Sequence, residues 1–189
     1  MGSVGSKKNW YEIRATKTFN NIYLGESLAS EPKDLLNKRI EIGLTEIMEN
    51  TQRFYVKVIF RIVKTEKDFA YAEFDGCKII REYISNIVRR GITRVDNNIV
   101  VNTKDGAKLR IKGILLFSKN VPYSISKKAR KKMDEIIKKS AEKNSFEDLA
   151  KIIVNGELGK KIKEECEKIY PVSAADIRKV EVIKGIINI

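Results

Sequence analysis

Up to Ser118 the apolar residues recur mostly at every second position, and beyond it mostly at helical spacing, so the pattern predicts a sheet followed by helices. Residues 35–47, LLNKRIEIGLTEI, set Ile40, Ile42 and Leu44 against Arg39, Glu41 and Thr45, the period of a half-buried strand. Arg53 to Lys64 and Phe69 to Phe74 are aromatic and β-branched runs separated by the polar Thr65-Glu66-Lys67-Asp68, which predicts a hairpin. Between Ile80 and Arg90 the period changes. Ile80, Tyr83, Ile84 and Ile87 form a helical stripe, Gly91 fits the residue just past a helix end, and Arg89 and Arg90 fall in the last turn, where the helix dipole favours cations.

Thr93–Thr103 and Ala107–Ser118 read as a second hairpin. A two-residue Asp105-Gly106 turn would put Lys108, Arg110 and Lys112 on the same face as Ile99 and Val101, mixing cations with the best core positions. A three-residue loop, Lys104-Asp105-Gly106, with Gly106 in the left-handed conformation, moves the register by one. Ile99 and Val101 then join Leu109 and Ile111 inside, and Asn102 lies near Lys108, Arg110 and Lys112 outside. This register is preferred because one face must be buried, and it spaces the three cations roughly 6.8 Å apart, comparable to the phosphate repeat of an extended nucleic acid.

From Ser126 a helix is predicted, with Ala129, Met133, Ile136, Ile137 and Ala141 as its apolar stripe. Lys127, Lys128, Arg130, Lys131 and Lys132 crowd its first two turns, where each exposed cation costs roughly 0.3–1 kcal/mol against the dipole. An external anion accounts for this placement better than a solvated charge run. Ser145-Phe-Glu-Asp148 opens the next helix as a capping box, which ends near Asn155-Gly156. A third carries Leu158, Ile162, Cys166 and Ile169 and is stopped by Pro171, so Cys166 reads as core. Ile177–Ile183 returns as a strand. The expected fold class is α+β: a mostly antiparallel rolled sheet or β-barrel with one inserted helix, then a C-terminal helical segment and a final strand. The expected organisation is a tail and anchor at 1–20, a barrel-like core at 21–120 with helix 80–90, and a helical segment with its returning strand at 121–189.

Charge sharpens this picture. The chain has 189 residues and a net charge of +13, but Arg81 to Lys132 holds fourteen Lys or Arg against three acids, while residues 133–189 carry eleven of each. A charge concentrated in this way self-repels unless a polyanion neutralises it, and nucleic acid is the first partner to consider. With no histidine and only Cys77 and Cys166, far apart, a CxxC metal site and a histidine-based triad are excluded, and no cofactor is implied. No apolar run approaches the roughly 20 residues needed to span a bilayer. The expectation is a soluble, intracellular protein.

The opening MGSVGSKK matches an N-myristoylation pattern through Gly2 and Ser6, but a flexible tail is the favoured reading. Trp10-Tyr11, beside Lys7 and Lys8, could stack on bases, although such a pair more often anchors a terminus to a core. Two other functional classes are weighed. An RNA-processing enzyme would use carboxylates such as Glu41, Glu46, Asp75 or Asp96, but these are scattered singly along strands. A peripheral membrane protein would combine Gly2 acylation with the basic patches, which lie far from it in sequence.

Several motifs in order resemble, over nearly the full length, the archaeal and eukaryotic small-subunit ribosomal protein family called S-three-A-e, or eukaryote-type S-one. Lys7-Lys8-Asn9-Trp10-Tyr11 and Leu24-Gly25-Glu26 resemble its opening, and residues 36–47 its signature, with Arg39, Glu41 and Leu44 retained. Arg81-Glu82-Tyr83, Val88-Arg89-Arg90, Arg94, Thr103-Lys104-Asp105-Gly106 and Arg110 resemble its helix and hairpin. Ile169-Tyr170-Pro171-Val172 and Ile177-Arg178-Lys179-Val180 resemble its C-terminal block. Gly43, Glu46 and Ile80 depart from the pattern, Ile80 standing where a Ser or Thr would cap the helix.

The resemblance implies a structural, non-enzymatic protein of the small-subunit platform near the messenger exit, cytoplasmic and ribosome-bound. Its implied partners are small-subunit ribosomal RNA, neighbouring small-subunit proteins and messenger RNA near the exit, with no membrane. The expected RNA-binding set is Lys7, Lys8, Arg39, Arg81, Arg89, Arg90, Arg94, Lys104, Lys108, Arg110, Lys112, Lys127, Lys128, Arg130, Lys131, Lys132, Arg178 and Lys179.

Overall fold

Alternating burial organises most of the strands of the computed structural model, which describes residues 8–16, 19, 21–47 and 53–184. The chain divides into two compact units, Met1–Phe54 with Val58–Asp75, and Tyr55–Lys57 with Gly76–Ile189.

In the first unit β1 (Asn9–Ala15) turns Tyr11, Ile13 and Ala15 inward and Trp10, Glu12 and Arg14 outward. It pairs antiparallel with β2 (Tyr23–Ala29) and parallel with the start of β5 (Phe69–Ile79). β4 (Val56–Glu66) joins β5 on one side and β3 (Arg39–Gly43) on the other, which gives the order β2-β1-β5-β4-β3. Under this sheet Phe19 meets Phe60 edge-on at 5.4 Å and Phe74 at 5.9 Å between ring centroids.

Two expectations are corrected here. Residues 35–47 are not one strand: only Arg39–Gly43 is extended, after a short 3-10 turn over Pro32–Leu35 and a left-handed Asn37 at φ 63. Then α1 (Leu44–Ile47) buries both Leu44 and Ile47, three residues apart, which period-two geometry cannot do. The β4–β5 turn is also shorter than Thr65–Asp68, because Lys67 enters positive φ (38) and the reversal closes within Lys67-Asp68.

In the second unit the end of β5 pairs with β9 (Val172–Lys184), which pairs antiparallel with β8 (Lys108–Phe117); β6 (Arg94–Asp96) and β7 (Ile99–Asn102) both pair with β8. The hairpin register is the expected one, Ile99↔Ile111, Val101↔Leu109 and Asn102↔Lys108, with Gly106 at φ 81. The strand expected over Thr93–Thr103 is interrupted at Asn97. Its buried side chain accepts from Gly113 N–H at 2.6 Å and donates to Asp134 on α3 at 3.0 Å. A Cβ on Gly113 would lie 2.6 Å from Asn97 Oδ1 and 3.0 Å from Met133 Cε, so this polar latch requires glycine.

Of the helices α3 (Tyr123–Lys143), α4 (Phe146–Asn155) and α5 (Glu157–Glu167), α3 packs on β6 and β7, α5 packs on β9, and α4 packs against α5 and α3. Ser145 caps α4, accepting from Asp148 N–H at 3.2 Å, and Gly156 ends it in the left-handed region, as the sequence predicts. Cys166 is buried, and burial pushes its thiol up to about 11. β9 begins at Val172, earlier than expected. Its start runs close to α5 at a glycine: a Cβ on Gly159 would sit 3.0 Å from the Ala175 carbonyl oxygen.

Both basic helices start or stop elsewhere than predicted. α2 (Arg81–Ile87) ends at the extended Val88, so Arg89 and Arg90 lie beyond it and the dipole does not explain them. Its N-terminal Ile80 makes no side-chain cap, in line with the departure noted in the sequence. Ser126 does not cap α3 but donates to the Tyr123 carbonyl at 2.9 Å inside a helix that starts after Pro122. The α+β class, the helical segment and the final strand are as expected. Among the described residues the strand order of each unit has free ends, so the sheet is open, and its β1–β5 pair makes it mixed.

Candidate nucleic-acid interface

Three strands of the second unit bring cations to the face opposite the buried Leu109, Ile111 and Val180. Across β5, β9 and β8, Lys78 pairs with Lys179 and Lys179 with Lys112, a row of three cations one strand spacing apart, roughly 4.8 Å. In the next row Arg110 opposes Glu181, and Lys108 opposes Lys184 beyond it. Of these cations Lys179, Lys112 and Arg110 lie within 4 Å of one carboxylate, that of Glu181.

That carboxylate is the hub of the face. Glu181 lies 2.6 Å from Lys179 Nζ, 3.3 Å from Lys112 Nζ and 3.8 Å from Arg110. The hydrogen bond from Lys179, followed by that from Lys112 and both charges, holds its titration below the usual carboxylate range despite partial desolvation. Three cations converge on this one carboxylate, and like charges directly opposite one another on adjacent strands, such as Lys179 and Lys112, repel. The face therefore retains a positive field toward solvent.

The hairpin tip is held by its own loop. Asp105 Oδ2 accepts from Phe146 N–H at 3.0 Å at the start of α4, where a carboxylate suits the dipole, and Lys104 N–H donates to the Asn144 carbonyl at 3.3 Å. Lys104 itself is exposed. On α3, Lys127, Lys128, Arg130 and Lys131 are exposed, whereas Lys132 is tied to Glu165 of α5 at 3.2 Å. Because α3 starts at Tyr123, these cations occupy its second and third turns. The dipole penalty expected for them is thereby largely removed, and mutual repulsion remains.

The sequence pattern of the Ribosomal S3Ae family matches residues 4–185. The chain belongs to that family. It is similar to the small ribosomal subunit protein eS1 of Methanopyrus kandleri, 34% identical over 181 residues, covering 94% of this chain and 86% of that protein. The protein of the same name from Methanobrevibacter smithii is 30% identical over 179 residues, covering 95% and 90%, and that of Saccharolobus islandicus strain L.S.2.15 is 33% identical over 177, covering 94% and 85%.

In this S3Ae family member the remaining candidate cations are dispersed. Arg39 belongs to the first unit, where its Nε lies 2.6 Å from the buried Asp75 while Arg61 approaches the other carboxylate oxygen at 2.8 Å. Arg94 is paired with Asp96 at 2.8 Å. Arg81, Arg89 and Arg90 are exposed around α2, whose Tyr83 stacks on Tyr55 at 3.7 Å. Arg178 falls at a register shift between Lys112↔Lys179 and Gly113↔Ile177 and opposes no β8 residue. Lys8 is exposed, and Lys7, with Gly2, Gly5 and Ser6, lies outside the described residues. Of the carboxylates weighed for catalysis, Asp75 and Asp96 are held by arginines, and Glu41 and Glu46 are exposed.

Sequence reasoning missed Lys78 and Lys184. Both were detectable only through pairing with β9, whose length the Ala-rich start concealed. No helix among the described residues is long and apolar enough to cross a membrane.

Proposed function

We propose that the chain is a structural, non-enzymatic constituent of the small ribosomal subunit that holds ribosomal RNA through the basic face of β5, β9 and β8. The observation that carries this reading is the basic face of three adjacent strands, where Lys179, Lys112 and Arg110 lie within 4 Å of Glu181 and Lys78 and Lys108 continue the rows. Rigid strands fix their spacing, so phosphates meet a preorganised array, and recognition rests on backbone charge and shape. Lys104 at the hairpin tip, Lys127, Lys128, Arg130 and Lys131 on α3, and Arg81, Arg89 and Arg90 around α2 extend the same field. The names of the similar proteins support the small subunit as the setting. In the finer reading the site is the platform near the messenger exit, with neighbouring small-subunit proteins and messenger RNA as further partners, in the cytoplasm.

Mass spectrometry of salt-washed small subunits tests this. The chain is expected in stoichiometric amount after a wash at moderate salt. Its recovery only in the soluble fraction would overturn the proposal.

A further inference from the structure

The outward face of the first unit's sheet has a different chemistry. Cross-strand pairing sets Trp10 beside Leu28, Glu12 beside Glu26 and Arg14 beside Tyr23, and β5 adds Phe69 next to Glu12. Trp10 is 62% exposed, Tyr23 55%, Leu28 42% and Phe69 36%. Single exposed apolar residues are ordinary, but four large ones gathered on one face of three adjacent strands, on either side of the Glu12–Glu26 pair, mark a contact surface. Two carboxylates directly opposite one another repel, and one cation serves them: Arg14 lies 2.9 Å from Glu12 and stacks over Phe69 at 4.8 Å from its centroid. No cation among the described residues pairs with Glu26.

We propose that this face of the first unit is a docking surface for a segment of another protein that carries arginine or lysine interleaved with aliphatic residues. Arg14 displays within the chain the contact a guest cation would make, a carboxylate beside it and an aromatic ring under it. Glu26 accepts a hydrogen bond from the Tyr23 hydroxyl but has no cation partner among the described residues, so a guest cation would complete the same combination there, and Leu28, opposite Trp10, offers an apolar contact beside it. An RNA strand could stack on these rings, but Glu12 and Glu26 would then face its phosphates, so charge favours protein. This surface goes beyond the RNA-binding reading and does not depend on it.

Trp10 is the chain's one tryptophan, so its emission reports on this face directly. The probe is a short peptide alternating arginine and leucine, with a glutamate–leucine peptide and oligouridylate as controls. The expected result is a saturable change in Trp10 emission with the arginine peptide alone, weakened about tenfold by the double variant Glu12→Gln and Glu26→Gln. These substitutions relieve a repulsion, and an unchanged melting temperature confirms the fold. The variant Lys108→Glu, Arg110→Glu, Lys112→Glu is expected to keep the peptide response while losing RNA binding, which separates failure of this proposal from failure of the other. No saturable peptide response, an equal response in the double Gln variant, or a Trp10 response to oligouridylate in place of the peptide would overturn the docking surface.

Discussion

The sheet faces of the two units are built by the same alternation of inward apolar and outward polar residues, yet their outward positions carry contrasting chemistry. On β1 and β2 the opposed like charges are Glu12 and Glu26, set among exposed rings, with Arg14 between. On β9 and β8 they are Lys179 and Lys112, with Glu181 bound to both. In each case one counter-charge partly offsets a repulsion that folding alone does not require, since any neutral polar residue would satisfy the pleat. A repulsion retained on an otherwise regular face is a signature of an external partner of the opposite sign.

Reversing Lys108, Arg110 and Lys112 to Glu breaks this contrast most severely. Loss of about three phosphate contacts should lower the log–log salt slope by about 3 and the RNA affinity by about a hundredfold. Fluorescence anisotropy with a structured RNA measures both, and Glu12→Gln with Glu26→Gln should leave both unchanged.

Gly106→Val attacks the loop that presents the hairpin. With φ at 81 and nothing within 4 Å of an added Cβ, the cost is backbone strain rather than collision, about 1–2 kcal/mol for a β-branched residue. Thermal unfolding should show a lower midpoint than for Gly5→Val, a substitution outside the described residues. Equal midpoints would reject the strain argument.

Lys128→Glu with Lys131→Glu sharpens the comparison on α3. RNA affinity should fall about tenfold while the melting temperature stays equal or rises slightly, because like-charge crowding is relieved. Paired measurement of the free variant's melting and its recovery in purified small subunits checks this; undiminished incorporation removes α3 from the interface.

The smallest effect is expected at Glu181. Its titration is held low by Lys179 and then Lys112, so its ion pairs contribute stability above the ordinary carboxylate range, lost as pH falls through the depressed folded value. Glu181→Gln should flatten the acid limb of a stability–pH profile slightly and raise RNA affinity about two- to threefold by removing a charge that repels phosphate. Weaker binding would instead make Glu181 a residue that positions the cations.

Much of this was legible in the residues. The register of the 99–111 hairpin followed from the need to bury Ile99, Val101, Leu109 and Ile111 together, and Ser145 and Gly156 announced the limits of α4. Lys108, Arg110 and Lys112 fall on the outward face for the same reason, whereas Lys179 entered only through the resemblance of Ile177-Arg178-Lys179-Val180 to the family's C-terminal block. What failed was boundary-dependent. The dipole arguments for Arg89, Arg90 and the α3 cations assumed helix ends that Val88 and Pro122 place elsewhere. Arg39 and Lys132 gave no hint in sequence of their distant partners Asp75 and Glu165. The Asn97 latch was hidden because its acceptor and donor contacts lie on Gly113 and Asp134, on other elements.

The central claim is that the face around Glu181 binds RNA through its phosphates, and the salt dependence of RNA affinity tests it most directly. If about five phosphates are neutralised, a log–log plot of affinity against salt should fall with a slope of about −3.5 to −4.5. A slope near zero between low and physiological salt would contradict the account.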